Sequence, residues 1–131
     1  MILSEIQSVL DRFDGFDGAV VQSISFHSQQ GIGEREIIIS LRAFSISENA
    51  EPGWKLVSIT AFNHPIFSWL ETTKNTNLVL NYPVVISEVE GNFIIDFDPL
   101  HAVSNNSSIK LSPFFIGGRS LSISVVAIEN R

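Results

Sequence analysis

The spacing of apolar residues changes once along the chain, and this change constrains the fold more than any other feature. Between Ile2 and Phe13 the apolar residues recur at helical spacing, which predicts an amphipathic N-terminal helix with one inward-facing stripe. From Ala19 onward the period is two, the spacing of half-buried strands. Because a helix of about ten residues is marginal alone in water, we expect it to pack on one face of a sheet.

Turn residues divide the rest of the chain into short alternating segments. The first three segments lie near residues 20–27, 37–43 and 54–62. They follow one another through short turns containing Gly or Pro, the pattern of an antiparallel meander. The alternation that begins at Ser120 is the most regular in the chain, and it predicts the following residues on the inward face of a strand: Leu121, Ile123, Val125 and Ala127.

The dipeptide His64-Pro65 interrupts the strand pattern. Pro65 suits the first position of a helix, and the apolar residues after it predict a short helix near 65–71. The length of 131 residues is typical of one domain, and we find no repeat or linker. We therefore expect a single α+β domain, residues 1–131, with one mostly antiparallel, meander-like sheet of about six or seven strands under the N-terminal helix.

The hairpin around Gly91 has two competing registers. A three-residue loop sets Val85 opposite Phe97 and produces a nearly all-apolar face, whereas a two-residue loop sets acidic residues opposite apolar ones. We prefer the three-residue loop, on which Asp96 and Asp98 point away from the core.

Charge and cysteine content exclude several classes of function. The chain has 14 acidic and 8 basic residues, a net charge of −6, and its Lys and Arg residues are scattered singly. Nucleic acids and anionic membranes require clustered cations, so neither is expected as a partner, whereas an acidic surface would steer a basic protein partner. The absence of cysteine excludes disulfides, thiol nucleophiles and thiolate zinc sites.

The N-terminal segment from Met1 to Phe13 has acidic residues inside its apolar pattern and no basic start, unlike a signal peptide. No stretch reaches the roughly 20 apolar residues of a membrane span. We therefore expect a cytoplasmic protein without a membrane partner.

The strongest pattern for a chemical site is Asp96-Phe97-Asp98 followed by His101. Alternation places both carboxylates on one strand face, where they and the imidazole would hold a divalent metal or act as acid and base. The commoner origin of such a pattern is a solvated strand end that starts a turn at Pro99. We favour this second interpretation, and we assign no catalytic residue, metal or cofactor.

Acidic residues also gather where the predicted helix ends. Asp11, Asp14 and Asp17 are spaced three apart, although a helix dipole disfavours anions at its C-terminus. Asp14-Gly15 and Asp17-Gly18 are also ordinary turn dipeptides, which explains them more simply. We retain Asp14 and Asp17 as candidate binding residues.

Aromatic residues provide the last candidates. Phe114 and Phe115 are adjacent, so on a strand they point to opposite faces and one lies outside the main core. Together with Trp54 and Trp69 they are candidates for a contact surface, although we expect Trp69 in the core.

The run from Phe13 to Ile24 after a short helix, with the alternating segment from Ser120 to Ile128, resembles a loose group of small bacterial domains. That group opens with a Phe-His-Asp-Ala/Ser type turn and includes uncharacterised proteins and immunity proteins that neutralise toxins. This chain has Asp17-Gly18 where the group has His-Asp, so no binding residues are carried over. The resemblance implies a bacterial, cytoplasmic, non-enzymatic protein of binding type.

Three hypotheses remain. We prefer a non-catalytic binding or interaction domain with a protein partner, of which an immunity-protein-like domain is one form; the patterns leave both a monomer and a homodimer open. The second is a metal-dependent or acid/base enzyme that uses Asp96, Asp98 and His101. The third is a sheet that curls around a small apolar ligand. We expect the functional face to lie opposite the helix and to carry Arg42 with the two aspartates and one of Phe114 and Phe115.

Overall fold

The computed structural model describes residues 2–28, 35–46, 53–69, 79–80, 83–98, 103–104, 110–111 and 114–127. Helix α1 (Leu3–Arg12) comes first and is followed by a short 3-10 turn, Asp14–Phe16. The strands are β1 (Val20–Ser28), β2 (Arg35–Ser45), β3 (Gly53–Phe62), β4 (Ile66–Trp69), β5 (Val85–Val89), β6 (Asn92–Asp96), β7 (Val103–Ser104), β8 (Lys110–Leu111), β9 (Phe114–Gly118) and β10 (Ser120–Ala127).

These strands form two four-stranded sheets. Sheet A has the order β1-β2-β3-β10, sheet B has the order β4-β9-β6-β5, and β7 pairs with β8. All these pairs are antiparallel. The α+β class, the N-terminal helix and the antiparallel pairing are confirmed, whereas the prediction of a single sheet is wrong.

Two bends explain why the chain forms two sheets. β3 continues into β4 across residues 63–65, and only Arg119 separates β9 from β10. Asn63 and His64 both have positive φ, 58° and 62°, which turns the chain sharply. The N–H of Arg119 donates to the carbonyl of Asn63 at 2.9 Å, and the Asn63 side-chain amide donates to Oγ of Ser120 at 2.8 Å. The two bends are therefore joined, and both strands leave sheet A at the same place.

Strand β4 replaces the short helix predicted near 65–71; residues 70 and 71 lie outside the described residues. β4 pairs with β9, with Ile66 opposite Gly117 and Trp69 opposite Phe114. A short apolar run fits a strand as well as a helix turn, and the β-branched and aromatic residues here favour a strand. Its pairing with β9 decides between the two.

The hairpin between β5 and β6 has a two-residue turn, so the preferred three-residue loop is wrong. Glu90 and Gly91 both have positive φ, 51° and 82°. Two such residues form the turn whose twist matches that of paired strands. Val85 therefore lies opposite Asp96, and the geometry of the turn outweighs the pairing of apolar residues.

The core lies between the two sheets and is covered by the helix. α1 contributes Ile6 and Leu10, and Phe13 and Phe16 follow it into the core. Full burial of each such side chain stabilises the fold by about 1.5–3 kcal/mol. The predicted inward positions Leu121 and Ile123 are buried, as are many residues of the central strands. Within the described part of the chain, no helix has the length and apolarity needed to cross a bilayer.

Candidate functional site

Asp96 and Asp98 lie at the end of β6, on either side of the buried Phe97. The backbone N–H of Asp98 donates to Oδ1 of Asp96 at 2.9 Å. Asp96 is half-buried and Asp98 is only 5% exposed. The sequence predicted that Asp98 lies at a solvated strand end, and its burial shows that this prediction is wrong. One Asp96 oxygen stabilises the local turn, the usual role of an aspartate two residues before a backbone donor.

His101, the third member of the predicted constellation, lies outside the described residues. Among those that are described, no group of three or more His, Asp or Glu side chains is placed to hold a metal ion. The described pair by itself offers carboxylate oxygens but no imidazole. The constellation of Asp96, Asp98 and His101 therefore stays a prediction.

Asp14 and Asp17 project from the turn after the helix, and both are exposed. Asp14, Gly15 and Phe16 have positive φ of 52°, 64° and 61°. The carbonyl of Gly15 accepts a hydrogen bond from the N–H of Val84 at 2.8 Å, and Phe16 is fully buried. This anchored turn holds the two carboxylates in solvent just before β1 begins.

The adjacent residues Phe114 and Phe115 point to opposite faces of sheet B. Phe114 is fully buried; its ring stacks on Phe97 at 4.5 Å and meets Trp69 edge-on at 4.6 Å. Phe115 is half-buried and lies beside Asp96 in the register of β9 and β6. Phe114 is thus a core residue, and Phe115 is the one that lies outside the main core cluster.

The predicted common face does not exist. Arg42 lies on β2 in sheet A, whereas Asp96 and Phe115 lie in sheet B. The prediction assumed one sheet, in which alternation alone would have brought these residues together.

A row of apolar side chains instead crosses the outer face of sheet A. Val20, Arg42, Leu56 and Val126 are cross-strand neighbours, and an isolated bridge adds Val79 beside Val20. In the next row, Phe44 lies opposite Trp54. We call these residues the Arg42 strip: Val20, Arg42, Phe44, Trp54, Leu56, Val79 and Val126.

The centre of the Arg42 strip is a stack of three exposed side chains. The rings of Phe44 and Trp54 meet edge-on at 5.7 Å, and the Arg42 guanidinium lies 5.4 Å from the Trp54 ring centroid. Such cation–π contacts fix an arginine over a ring at little cost in hydration. Phe44 and Trp54 nevertheless remain 45% and 39% exposed. Arg42 is the only charged member of the strip, so the strip contains no carboxylate.

The rest of this face is rich in hydroxyl groups. Ser23, Ser40, Ser58 and Ser124 form one continuous row across four strands, and the Oγ atoms of Ser40 and Ser58 lie 3.4 Å apart. The face therefore changes from hydroxyl to apolar at the Arg42 strip. A change of this kind marks the edge of a contact surface more sharply than scattered apolar residues do.

A depression of about 710 Å³ lies at the opposite end of sheet A. Its lining includes His27, Arg35, Glu36 and Thr60. This volume is within the range of small-molecule sites, but the lining carries charges of both signs. It therefore does not match the hypothesis of an apolar ligand.

Sequence reasoning named Trp54 and Arg42 but did not connect them, and it missed Phe44 and Leu56. A signal for Phe44 was present: once Leu41 and neighbouring alternate residues are placed inward, Phe44 must share the outer face with Arg42. The pairing of β2 with β3, which brings Trp54 beside Phe44, depends on a register that alternation does not supply. Comparison of this chain with models of protein families, with curated proteins and with solved structures gave no match.

Proposed function

We propose that this chain is a non-catalytic protein-binding domain and that the Arg42 strip is its docking surface. The supporting observation is the exposed stack of Arg42, Trp54 and Phe44 on a regular sheet face. Tryptophan and arginine dominate binding energy at protein interfaces, where they occupy the centre of the contact. Because sheet A already holds the three side chains in place, little conformational entropy remains to be lost on binding.

The surroundings of the strip favour a basic partner. Residues 2–18 contain four acidic residues and one basic residue, a net charge of −3, and Glu5, Asp11, Asp14 and Asp17 are all exposed. The turn that carries Asp17 leads directly into Val20 of the strip. At the other side, the N–H of Ile46 donates to the carbonyl of Arg12 at 2.9 Å, which ties the end of the helix to the strand that carries Phe44.

An apolar strip that follows an acidic segment, residues 2–18, along the chain fits a partner that combines an apolar patch with Lys and Arg. The net charge of −6 over the whole chain acts in the same direction at long range and raises the rate of encounter with a basic protein. We propose a basic protein of this kind as the binding partner of the Arg42 strip. A second copy of the chain fits less well, because it carries the same acidic segment and the same net charge of −6.

Immunity is the specific form of binding that the sequence resemblance supports. A cytoplasmic immunity protein neutralises a toxin by covering it, which requires a rigid contact surface and no chemistry of its own. The Arg42 strip, which lies on paired strands, is a surface of this kind. Toxins that act on nucleic acids are basic, because they must attract phosphates, so they belong to the partner class that the charges favour.

The proposal is tested by affinity capture from cells of the source organism with paired variants. Wild-type bait is compared with Trp54→Ala and with the double variant Asp14→Asn/Asp17→Asn. The control baits are Thr60→Ala, on the same face, and Glu88→Gln, a charge change on β5. We expect the wild-type and control baits to capture a basic protein that the Trp54→Ala bait does not capture.

The recovered protein is then purified and its affinity is measured by calorimetry at low and high salt. Loss of the Trp54 ring is expected to weaken binding at least about 30-fold, since hot-spot residues contribute about 2 kcal/mol or more. The Asp14→Asn/Asp17→Asn variant is expected to bind the partner more weakly than wild type at low salt and with the same affinity as wild type at high salt. Equal binding by wild type and Trp54→Ala, or a partner of acidic charge, would refute the proposal.

A further inference from the structure

Strand β10 forms one edge of sheet A and is unusually regular for an edge strand. It pairs with β3 in unbroken register from Ser120 opposite Phe62 to Ala127 opposite Lys55. Within the described part of the chain, β3 is its only strand partner. Alternate residues of an antiparallel strand point their backbone groups away from the partner, so about four N–H and four C=O groups of β10 face outward from the sheet.

Within the described residues, β10 lacks three of the usual protections of an edge strand: a bulge, a proline and a charged side chain. Edge strands are normally short, bulged, or interrupted by proline or charged residues, which prevents pairing with other chains. β10 has eight residues with neither proline nor charge. β1, the opposite edge, is different: its register shifts between Val21 and Ser23, and Val79 bridges to Val20.

We propose that two copies of this chain associate edge to edge, by antiparallel pairing of β10 with β10 about a two-fold axis perpendicular to sheet A. Two copies of a chain with a net charge of −6 repel one another in most orientations. β10 contains no charged residue, so two copies that pair along it bring no like charges of this strand together. Its outward side chains are Ser120, Ser122, Ser124 and Val126. A two-fold contact uses the same surface on both copies, which an uncharged strand allows.

The side chains of β10 fit this pairing. Opposite residues of an antiparallel pair share a face, so a two-fold axis at Ser124 sets Ile123 of one copy opposite Val125 of the other. Val125 is half-buried in the single chain, and it would gain apolar cover on pairing. On the outer face, Val126 would lie opposite Ser122. An axis at Ile123 instead pairs Val125 with Leu121, and Val125 is covered in either register.

Sedimentation equilibrium of the purified chain tests the proposal. We expect a reversible monomer–dimer equilibrium in wild type. The double variant Ser122→Lys/Ser124→Lys places lysines close to those of the other copy in either register, and the dissociation constant is expected to rise at least about tenfold. The matched control is Ser40→Lys/Ser58→Lys, on the same face but on central strands, which is expected to leave the dimer unchanged.

Two results would overturn the proposal. One is a chain that stays monomeric at concentrations of about 100 μM and above, where even weak pairing is populated. The other is a control variant that dissociates the dimer as strongly as the edge variant, since this would place the contact on the sheet face. Circular dichroism confirms that each variant is folded.

Hydrogen exchange on the wild-type chain provides a second measurement that depends on no variant. With increasing concentration, alternate amides of β10, those that do not bond to β3, are expected to become protected. Exchange of those amides that is independent of concentration would contradict edge pairing even if a dimer is found. The edge proposal and the docking proposal fail separately, because one is measured on the chain alone and the other needs a basic partner.

Discussion

Gly117 lies on the central strand β9 between β4 and β6, and its replacement by alanine tests the packing of sheet B. In the register of β9, Gly117 lies opposite Ile66 on one side and Ile94 on the other. A Cβ atom at this position would lie 2.6 Å from the carbonyl oxygen of Phe93 and 3.2 Å from Cγ1 of both isoleucines. The first contact is with main chain, so the strands themselves must shift to relieve it.

The expected loss of stability follows from two opposing terms. Overpacking of a well-packed interior costs about 1–3 kcal/mol, and a main-chain clash belongs at the upper end of that range. Replacing glycine with alanine also reduces the entropy of the unfolded chain, which stabilises the fold by about 0.4–1 kcal/mol. For Gly117→Ala we therefore expect a net loss of about 1–2.5 kcal/mol, a large part of the roughly 5–15 kcal/mol typical of a domain.

Urea unfolding followed by circular dichroism measures this change, with Gly53→Ala as the matched control. A Cβ atom at Gly53 meets nothing within 4 Å, and its φ is not in the left-handed region. The control should therefore gain about 0.4–1 kcal/mol from the unfolded-state term alone. The two variants are expected to move the urea midpoint in opposite directions without a change in slope. A Gly117→Ala variant as stable as wild type would refute the close approach of β6 to β9.

Four further changes test other parts of the structure. His64→Gly should raise stability by about 0.5–1 kcal/mol, since glycine adopts the positive φ of this exposed residue without strain; a loss in urea unfolding would contradict the bend. Phe114→Ala should cost about 3–5 kcal/mol, because the ring is fully buried, and an unchanged melting curve would place it outside the core. Acrylamide should quench Trp54 more than Trp69, measured in Trp→Phe variants that retain one tryptophan each; equal quenching would contradict the exposure of Trp54. In calorimetry with Mg²⁺, Ca²⁺ and Zn²⁺, we expect Asp98→Asn to leave any metal binding unchanged; metal binding that is lost in this variant would support the metal hypothesis.

The elements that the sequence predicts well are those whose pattern is long. The apolar stripe that includes Ile6 and Leu10 extends over three helical turns, and the alternation that starts at Ser120 covers a whole strand. In both cases many residues follow the same period, so one residue that departs from it does not change the predicted element. The structure has α1 and β10 at these places. Ile6, Leu10, Leu121 and Ile123 are buried as expected, whereas Ile2 at the start of the stripe is 62% exposed.

The division into two sheets was not predictable by the same means. It depends on Asn63 and His64 in left-handed conformations and on a hydrogen bond from Arg119, which is distant in sequence. Locally, a polar pair before Pro65 resembles the start of a helix. The four-residue strand that follows is too short for its period to decide. Only pairing with β9 makes it a strand, and that pairing is a property of the whole fold.

The error in the β5–β6 hairpin had a different origin. Neither of the two registers weighed from the sequence, a three-residue loop at residues 90–92 and a two-residue loop at Gly91-Asn92, is the observed one, which turns at Glu90 and Gly91. The positive φ of Glu90 was not foreseen, because glutamate is rarely found in that conformation. With the correct register, Asp96 lies opposite Val85 and Asp98 is buried, so the strongest chemical pattern in the sequence loses its solvent-exposed face.

The two proposals both concern sheet A, and its proposed edge contact and docking face are compatible with each other. Pairing of β10 about a perpendicular two-fold axis leaves the outer faces of both copies on the same side of one continuous sheet. Each copy would then present its Arg42 strip in the same direction, with Val126 at the end nearest the contact. A partner with two equivalent sites would bind such a dimer far more tightly than it binds one strip, because the second contact forms within the complex. Under both proposals, an acidic chain would gain affinity for a basic partner without a larger interface on either copy.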